Sequence, residues 1–206
     1  MADGASRMQW DISAKCTDDE LHRKKLPILC VSFNGETVLT SSSKSTVKLW
    51  KVGDGLSAQG SLAGLAGGAA APSSLDSFKD RACVCTLDGQ ILLWDLRNPQ
   101  EPPNQLDMTL TTQGGLIRFL PDGNRLVTGG ISGKLVVWDL RQGRIEREIA
   151  PYAPRNGNAE ERPSKIRRIS AVPYGGPITA LGASPDGQML ACGRSSGGFR
   201  GLAFGV

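Results

Sequence analysis

Aromatic residues are scarce in this sequence of 206 residues, at 5% of positions, and His22 is the only histidine. One histidine excludes a multi-histidine metal centre and removes the commonest general base from nucleophilic catalysis. Cysteine is present without order. Cys16, Cys30, Cys83, Cys85 and Cys192 are odd in number and irregular in spacing, which excludes a disulfide framework. Cys83 and Cys85 form a C-x-C with no second pair and no nearby histidine, so they read as part of a buried strand, Arg81 to Thr86, and not as metal ligands. Nowhere does an apolar run approach the roughly 18 residues of a membrane-spanning helix. The opening Met1-Ala2-Asp3-Gly4 starts no apolar signal segment, and the expectation is a soluble intracellular protein. Charge of one sign is missing too. Lys and Arg number 24 against 20 Asp and Glu, and a net +4 is too mild to imply nucleic-acid binding by itself.

Glycine, in contrast, is abundant at 26 residues, which favours a turn-rich β architecture. The strongest signal is a repeat. Trp50, Trp94 and Trp138 stand 44 residues apart, each closing a short β-type run: Leu49-Trp50-Lys51-Val52, Leu93-Trp94-Asp95-Leu96 and Val137-Trp138-Asp139-Leu140. The flanks repeat as well, so chance register does not explain the spacing. A period of about 40–45 residues ending in Trp-Asp is that of a four-stranded propeller blade.

Read this way, 26–62 is blade one, 73–111 blade two, 115–149 blade three and 177–206 a partial blade four. Blade three is the clearest. Its first strand is Leu116 to Leu120, followed by a tight turn at Pro121-Asp122-Gly123. Arg125 to Thr128 and Lys134 to Trp138 are its second and third strands, and Arg144 to Ile149 alternates charged and apolar residues as an outer strand should. Blade four repeats the turn at Pro185-Asp186-Gly187 and carries Phe204 in place of the tryptophan. Phe204 lies 66 residues after Trp138, and the polar, Pro- and Gly-rich segment 150–176 accounts for the excess. Gly197 to Gly201 is a poor strand. Leu62 to Pro72 is rich in Ala and Gly and reads as a flexible connection. Near the start, Met8-Gln9-Trp10-Asp11-Ile12 carries one more Trp-Asp. Residues 8–14 are either a closing strand for the last blade or a stray tryptophan in a terminus.

These motifs resemble the WD-repeat β-propeller family over nearly the whole chain. Within it, the chain is similar to the small propeller subunit of the superkiller complex. The likeness rests on the closing strand followed by Thr17-Asp18-Asp19, Thr46 to Lys51, Ser61-Leu62, Gln90 to Leu96 and Phe204-Gly205-Val206. The resemblance implies an all-β propeller and a non-enzymatic scaffold that binds other proteins in a multi-subunit complex. It implies work beside the helicase that feeds RNA to the exosome and with the polymerase-associated elongation complex, in nucleus and cytoplasm. No cofactor, membrane or small-molecule substrate is implied, and RNA is contacted at most indirectly. Two departures stand out. The family's Gly-His before the first strand of a blade, whose histidine bonds to the tryptophan, has no counterpart here, so the blades are expected to rely on apolar packing and ladder hydrogen bonds. Such a family member has seven blades, whereas this chain supplies under four. The expectation is a fragment, a splice product or a truncated form, in an open arc more readily than a four-bladed ring.

Two motifs mimic catalytic ones. Gly193-Arg194-Ser195-Ser196-Gly197 matches G-x-S-x-G, but no histidine follows it, and a strand–turn–helix context is not expected. Gly129 to Lys134 approaches a phosphate loop, one residue short, with Leu135 where Ser or Thr would hold magnesium. Neither supports an enzyme.

Binding is expected on the blade face that gathers the second-to-third-strand turns and the connections between blades. The segment 150–176 joins that face with Arg155, Arg162, Lys165, Arg167 and Arg168 against Glu160 and Glu161. It is either a solvated loop or a docking site for an acidic surface or RNA backbone, and with few aromatics to stack on bases the RNA form is the weaker. Arg167-Arg168-Ile169-Ser170 has the form that basophilic kinases prefer, which makes Ser170 a candidate phosphorylation site. A nucleic-acid-binding module and a truncated product without function are the alternatives to a scaffold.

Overall fold

Glycine and Asx turns cut the chain every few residues, and what lies between them is strand. The computed structural model describes residues 27–43, 46–53, 56–64, 70–106, 115–151 and 176–203, and among these it forms fifteen strands and no helix. Blade one is β1 (Ile28–Asn34), β2 (Thr37–Ser42), β3 (Val47–Val52) and β4 (Leu56–Ser61). Blade two is β5 (Pro72–Phe78), β6 (Arg81–Thr86), β7 (Ile91–Asp95) and β8 (Asn104–Leu106). Blade three is β9 (Leu116–Phe119), β10 (Arg125–Gly129), β11 (Leu135–Asp139) and β12 (Arg144–Ile149). Blade four has three described strands, β13 (Ile178–Ala183), β14 (Met189–Arg194) and β15 (Phe199–Ala203). Each sheet is an antiparallel meander in chain order.

Turn chemistry sets these hairpins. Gly35, Gly123 and Gly187 take the positive φ that closes the first hairpin of blades one, three and four. At Gly123 the constraint is double, because a Cβ there would come within 2.6 Å of the Phe78 ring in the neighbouring blade. Blade two has no glycine at this point. Lys79 holds φ +50 instead, the only positive φ at a non-glycine residue among those described.

The ladders fix which residues are equivalent. Val38 pairs with Trp50, Ala82 with Trp94 and Leu126 with Trp138. In blade four the same register pairs Leu190 with Leu202. Leu202 therefore stands at the tryptophan position, whereas Phe204 and Trp10 lie outside the described residues. The glycines that make 197–201 look weak do not prevent β15, since its Phe199, Arg200 and Gly201 pair with Gly193, Cys192 and Ala191.

Three cores lie between the blades. Leu39, Val47 and Leu49 of blade one meet Leu75, Ala82, Val84 and Trp94 of blade two. Cys83, Cys85 and Ile91 meet Ile117, Phe119, Leu126 and Trp138, and Val127, Leu135 and Val137 meet Ile178, Leu181, Leu190 and Cys192. Each blade thus presents alternate residues to its two neighbours, the period-2 geometry of a strand buried on both faces. Burial raises both thiols of blade two, Cys85 to about 11 and Cys83 well above its ordinary value. Both side chains are fully buried among the apolar residues of the second core, where they fill space as small hydrophobes.

The tryptophans keep part of a hydrogen-bond network that the missing histidines seemed to remove. Trp50 donates its indole N–H to Thr40 Oγ1 at 2.9 Å, and Trp138 donates to Thr128 Oγ1 at 3.0 Å. Blade two has Val84 at that register, and Trp94 donates instead to the Ala63 carbonyl at 2.8 Å. That bond, with Leu62 N–H on the Val47 carbonyl and Ala63 N–H on the Pro99 carbonyl, pins the start of the connection read from sequence as flexible.

Candidate interaction surfaces

The inner strands β1, β5, β9 and β13 pack in series, and no comparable contact joins β13 to β1 among the described residues. The described blades form an open series. A belt of polar side chains, which neither periodicity nor motif singled out, joins the inner strands. Ser32 and Ser77 share a hydrogen bond of 2.7 Å, Phe119 N–H donates to Asp76 Oδ2 at 2.8 Å, and Ser73 donates to the Gly115 carbonyl at 2.7 Å. Burial pushes the Asp76 carboxyl above its ordinary value, against the Phe119 bond and the Arg118 charge that pull it down. The visible signal was a lone charge in each of two short strand segments, Leu75-Asp76-Ser77 and Ile117-Arg118-Phe119.

Two loop faces follow from strand direction. Turns β2–β3, β6–β7, β10–β11 and β14–β15 share one face with the connections between blades. Ile178 N–H donates to Gly130 O and Ser195 N–H to Pro177 O there, each at 3.0 Å. Ser195 sits in the β14–β15 hairpin turn, and Gly129 to Lys134 spans the β10–β11 turn. Both catalytic look-alikes are hairpin turns. Arg155, Arg162, Lys165, Arg167, Arg168 and Ser170 lie outside the described residues.

Three clefts among the described residues open on the opposite face, which the sequence did not favour. One of about 560 Å³ lies between blades two and three, lined by Arg81, Arg97 and Arg141, the single carboxylate Asp95, and the apolar Leu93, Trp94, Leu106 and Leu140. A second of about 570 Å³ runs from Asn34 and Thr37 to Lys79, Asp80 and Arg97, and a third of about 380 Å³ from Phe78 to Asp122 and Gly123. Arg97 is common to all three. It chelates Asp95 through its side-chain nitrogens, which lowers the Asp95 carboxyl to about 2. Arg81 donates to the Gly123 carbonyl across the blade boundary at 3.2 Å. The cationic rim of the cleft between blades two and three comes from charges spread over 60 residues of sequence, from Arg81 to Arg141, so no local run announces it.

Comparison with known proteins agrees with this geometry. The family model "WD domain, G-beta repeat" matches residues 19–51 and 115–139, which take in β1 to β3 up to Lys51 and β9 to β11. The protein groucho of Drosophila melanogaster is 42% identical over 60 residues, which is 29% of this chain and only 8% of that protein. The crystal structure of the computationally designed Ika4 protein superposes with a TM-score of 0.59 at 17% identity, covering 88% of this chain and 93% of that one, a likeness of fold. Blade register and inter-blade cores show the fold: the described residues form a partial β-propeller, two segments of which, 19–51 and 115–139, match the WD repeat model.

Proposed function

We propose that this protein is a non-enzymatic scaffold that holds other proteins together. The observation that carries the reading is the cleft face. Rigid four-stranded blades present short turns there, and apolar floors between blades two and three are rimmed by three arginines against one aspartate. Loops on a rigid scaffold are the usual seat of binding. An apolar floor with a cationic rim suits a partner segment that alternates hydrophobic and acidic residues.

The finer reading places the chain in complexes of exosome-coupled RNA decay and transcription elongation, in nucleus and cytoplasm. It is supported by the likeness of Thr46 to Lys51, Gln90 to Leu96 and the other segments named above to the superkiller propeller subunit. The basic segment 150–176 belongs to the proposal on sequence grounds, as a second docking element for an acidic surface. Phosphorylation of Ser170 would add about −1.5 to −2 charge beside Arg167 and Arg168 and weaken that docking.

Affinity capture of the tagged chain from cells, followed by mass spectrometry, tests the proposal. Recovery of the decay helicase or of elongation-complex subunits supports the finer reading. A different stable protein set supports the scaffold and removes the finer reading. Capture unchanged by the pair Arg97→Glu and Arg141→Glu would remove the cleft face from the account.

A further inference from the structure

We infer that an extended acidic segment of a partner protein adds to blade two as the missing half of its outer strand. The inference rests on the scaffold reading above and supplies its mode of binding. In blades one and three the fourth strand covers the third to its end, Lys51 pairing with Ser57 and Asp139 with Arg144. In blade two the pairing of β8 with β7 stops at Asn104 and Leu93. Trp94 and Asp95, the equivalents of Trp138 and Asp139, have no strand beside them on the outer edge. Leu96 N–H donates to the Asp80 carbonyl on the β6 side, so by alternation the Asp95 N–H faces that open edge. The Asp95 carbonyl accepts from Asn98 N–H in the turn that follows.

The chain's own sequence keeps the gap open. Pro102 and Pro103 precede Asn104, and neither has an N–H with which to extend the ladder. The loop that they end is drawn towards blade one. Ala63 N–H donates to the Pro99 carbonyl at 3.1 Å and Gln100 Nε2 to the Ser61 carbonyl at 3.3 Å. Pro103 packs so closely on Gly64 that a Cβ there would strike it. The cleft of about 560 Å³ opens at this gap, with Leu93, Asp95 and Asn104 on one wall and Leu140 and Arg141 across the blade boundary. Charge and floor define the occupant. Arg97 chelates the one carboxylate of the cleft, Asp95, so Arg81 and Arg141 leave its rim net positive. Side chains two apart on an added strand share one face. An acidic one there meets the arginines, and an apolar one meets Leu93, Leu106 and Leu140. Main-chain bonding to a sheet edge holds such a segment, and its alternate side chains select it.

Fluorescence polarisation of a labelled peptide, Ser-Leu-Ser-Glu-Ser-Leu-Ser-Glu, titrated with the whole chain tests the inference. Binding is expected, and the same peptide with lysine in place of glutamate should bind about tenfold more weakly or worse. Arg141 is exposed, so Arg141→Ala should leave the thermal unfolding midpoint in place while weakening the glutamate peptide by a similar factor. Amide exchange of the saturated complex reads the binding mode. The Asp95 amide should slow by about tenfold or more, whereas the Trp94 amide, which faces β6, should change little. Binding that depends on Arg141 but leaves Asp95 exchange unchanged overturns strand addition and keeps the cleft as a docking site. Equal binding of the lysine and glutamate peptides overturns the acidic partner. No binding at millimolar peptide overturns the inference alone, because the scaffold reading is decided by capture from cells.

Discussion

The blade tryptophans differ in what receives the indole N–H, and that difference predicts how each responds to substitution. Thr128→Val keeps the shape of the side chain but leaves the buried Trp138 donor without its partner, and the expected loss is about 1–3 kcal/mol in denaturant unfolding. Val84→Thr should gain nothing, because Trp94 already donates to Ala63. Trp138→Ala removes a side chain at the centre of the second core and should cost about 3–5 kcal/mol. Asp76 sets a pH dependence of opposite sign to a surface ion pair. Its carboxyl is raised above the ordinary 3.8 by burial. The stabilisation associated with its protonated form is therefore complete below 3.8 and is lost as pH rises through the higher folded value. Asp76→Asn should flatten the decline in stability with rising pH above 3.8, measured by chemical unfolding across that window. An unchanged profile would mean that the belt does not strain this carboxyl.

At the scale of strands and turns, most of the architecture was legible because it is written in local terms. The 44-residue period, the Pro-Asp-Gly turns and the alternation in Arg144 to Ile149 each reflect one hairpin's own chemistry. What escaped notice depends on register between distant segments. Leu202 takes the tryptophan position because β15 pairs with β14 one ladder step at a time, and a search for an aromatic residue at the end pointed two residues too far. The bonds to Thr40 and Thr128 join residues ten apart through a hairpin, visible only after the ladder is known. The Arg81, Arg97 and Arg141 cleft gathers single charges from separate turns. Two turn substitutions follow. Lys79→Gly relieves a left-handed backbone that costs about 1–2 kcal/mol against about 0.5–1 kcal/mol of added chain entropy, so a small net stabilisation of the protein is expected. Gly123→Ala should destabilise it by more than that, since the new methyl meets Phe78 while the backbone keeps its positive φ. Thermal unfolding of the two variants side by side checks both signs.

For the whole molecule, the governing feature is that each blade is stabilised by its neighbours. A single meander leaves both apolar faces bare, and every described core is shared between two blades. Stability should therefore fall from the middle of the arc towards its ends, and from the inner strands outward. β4 and β15 are largely exposed, whereas β6, β10 and β11 are nearly all buried. Residue-resolved hydrogen exchange on the intact chain measures this pattern directly. The account predicts the slowest amides in β6, β7, β10 and β11, with Ala82 to Thr86 and Leu126 to Thr128 protected alike at the 44-residue period. Protection should decline through β12 and β4 to the outer edge of blade four. Fast exchange throughout β6, β7, β10 and β11, or one protected block that ignores the blade period, would contradict the stacked-blade account.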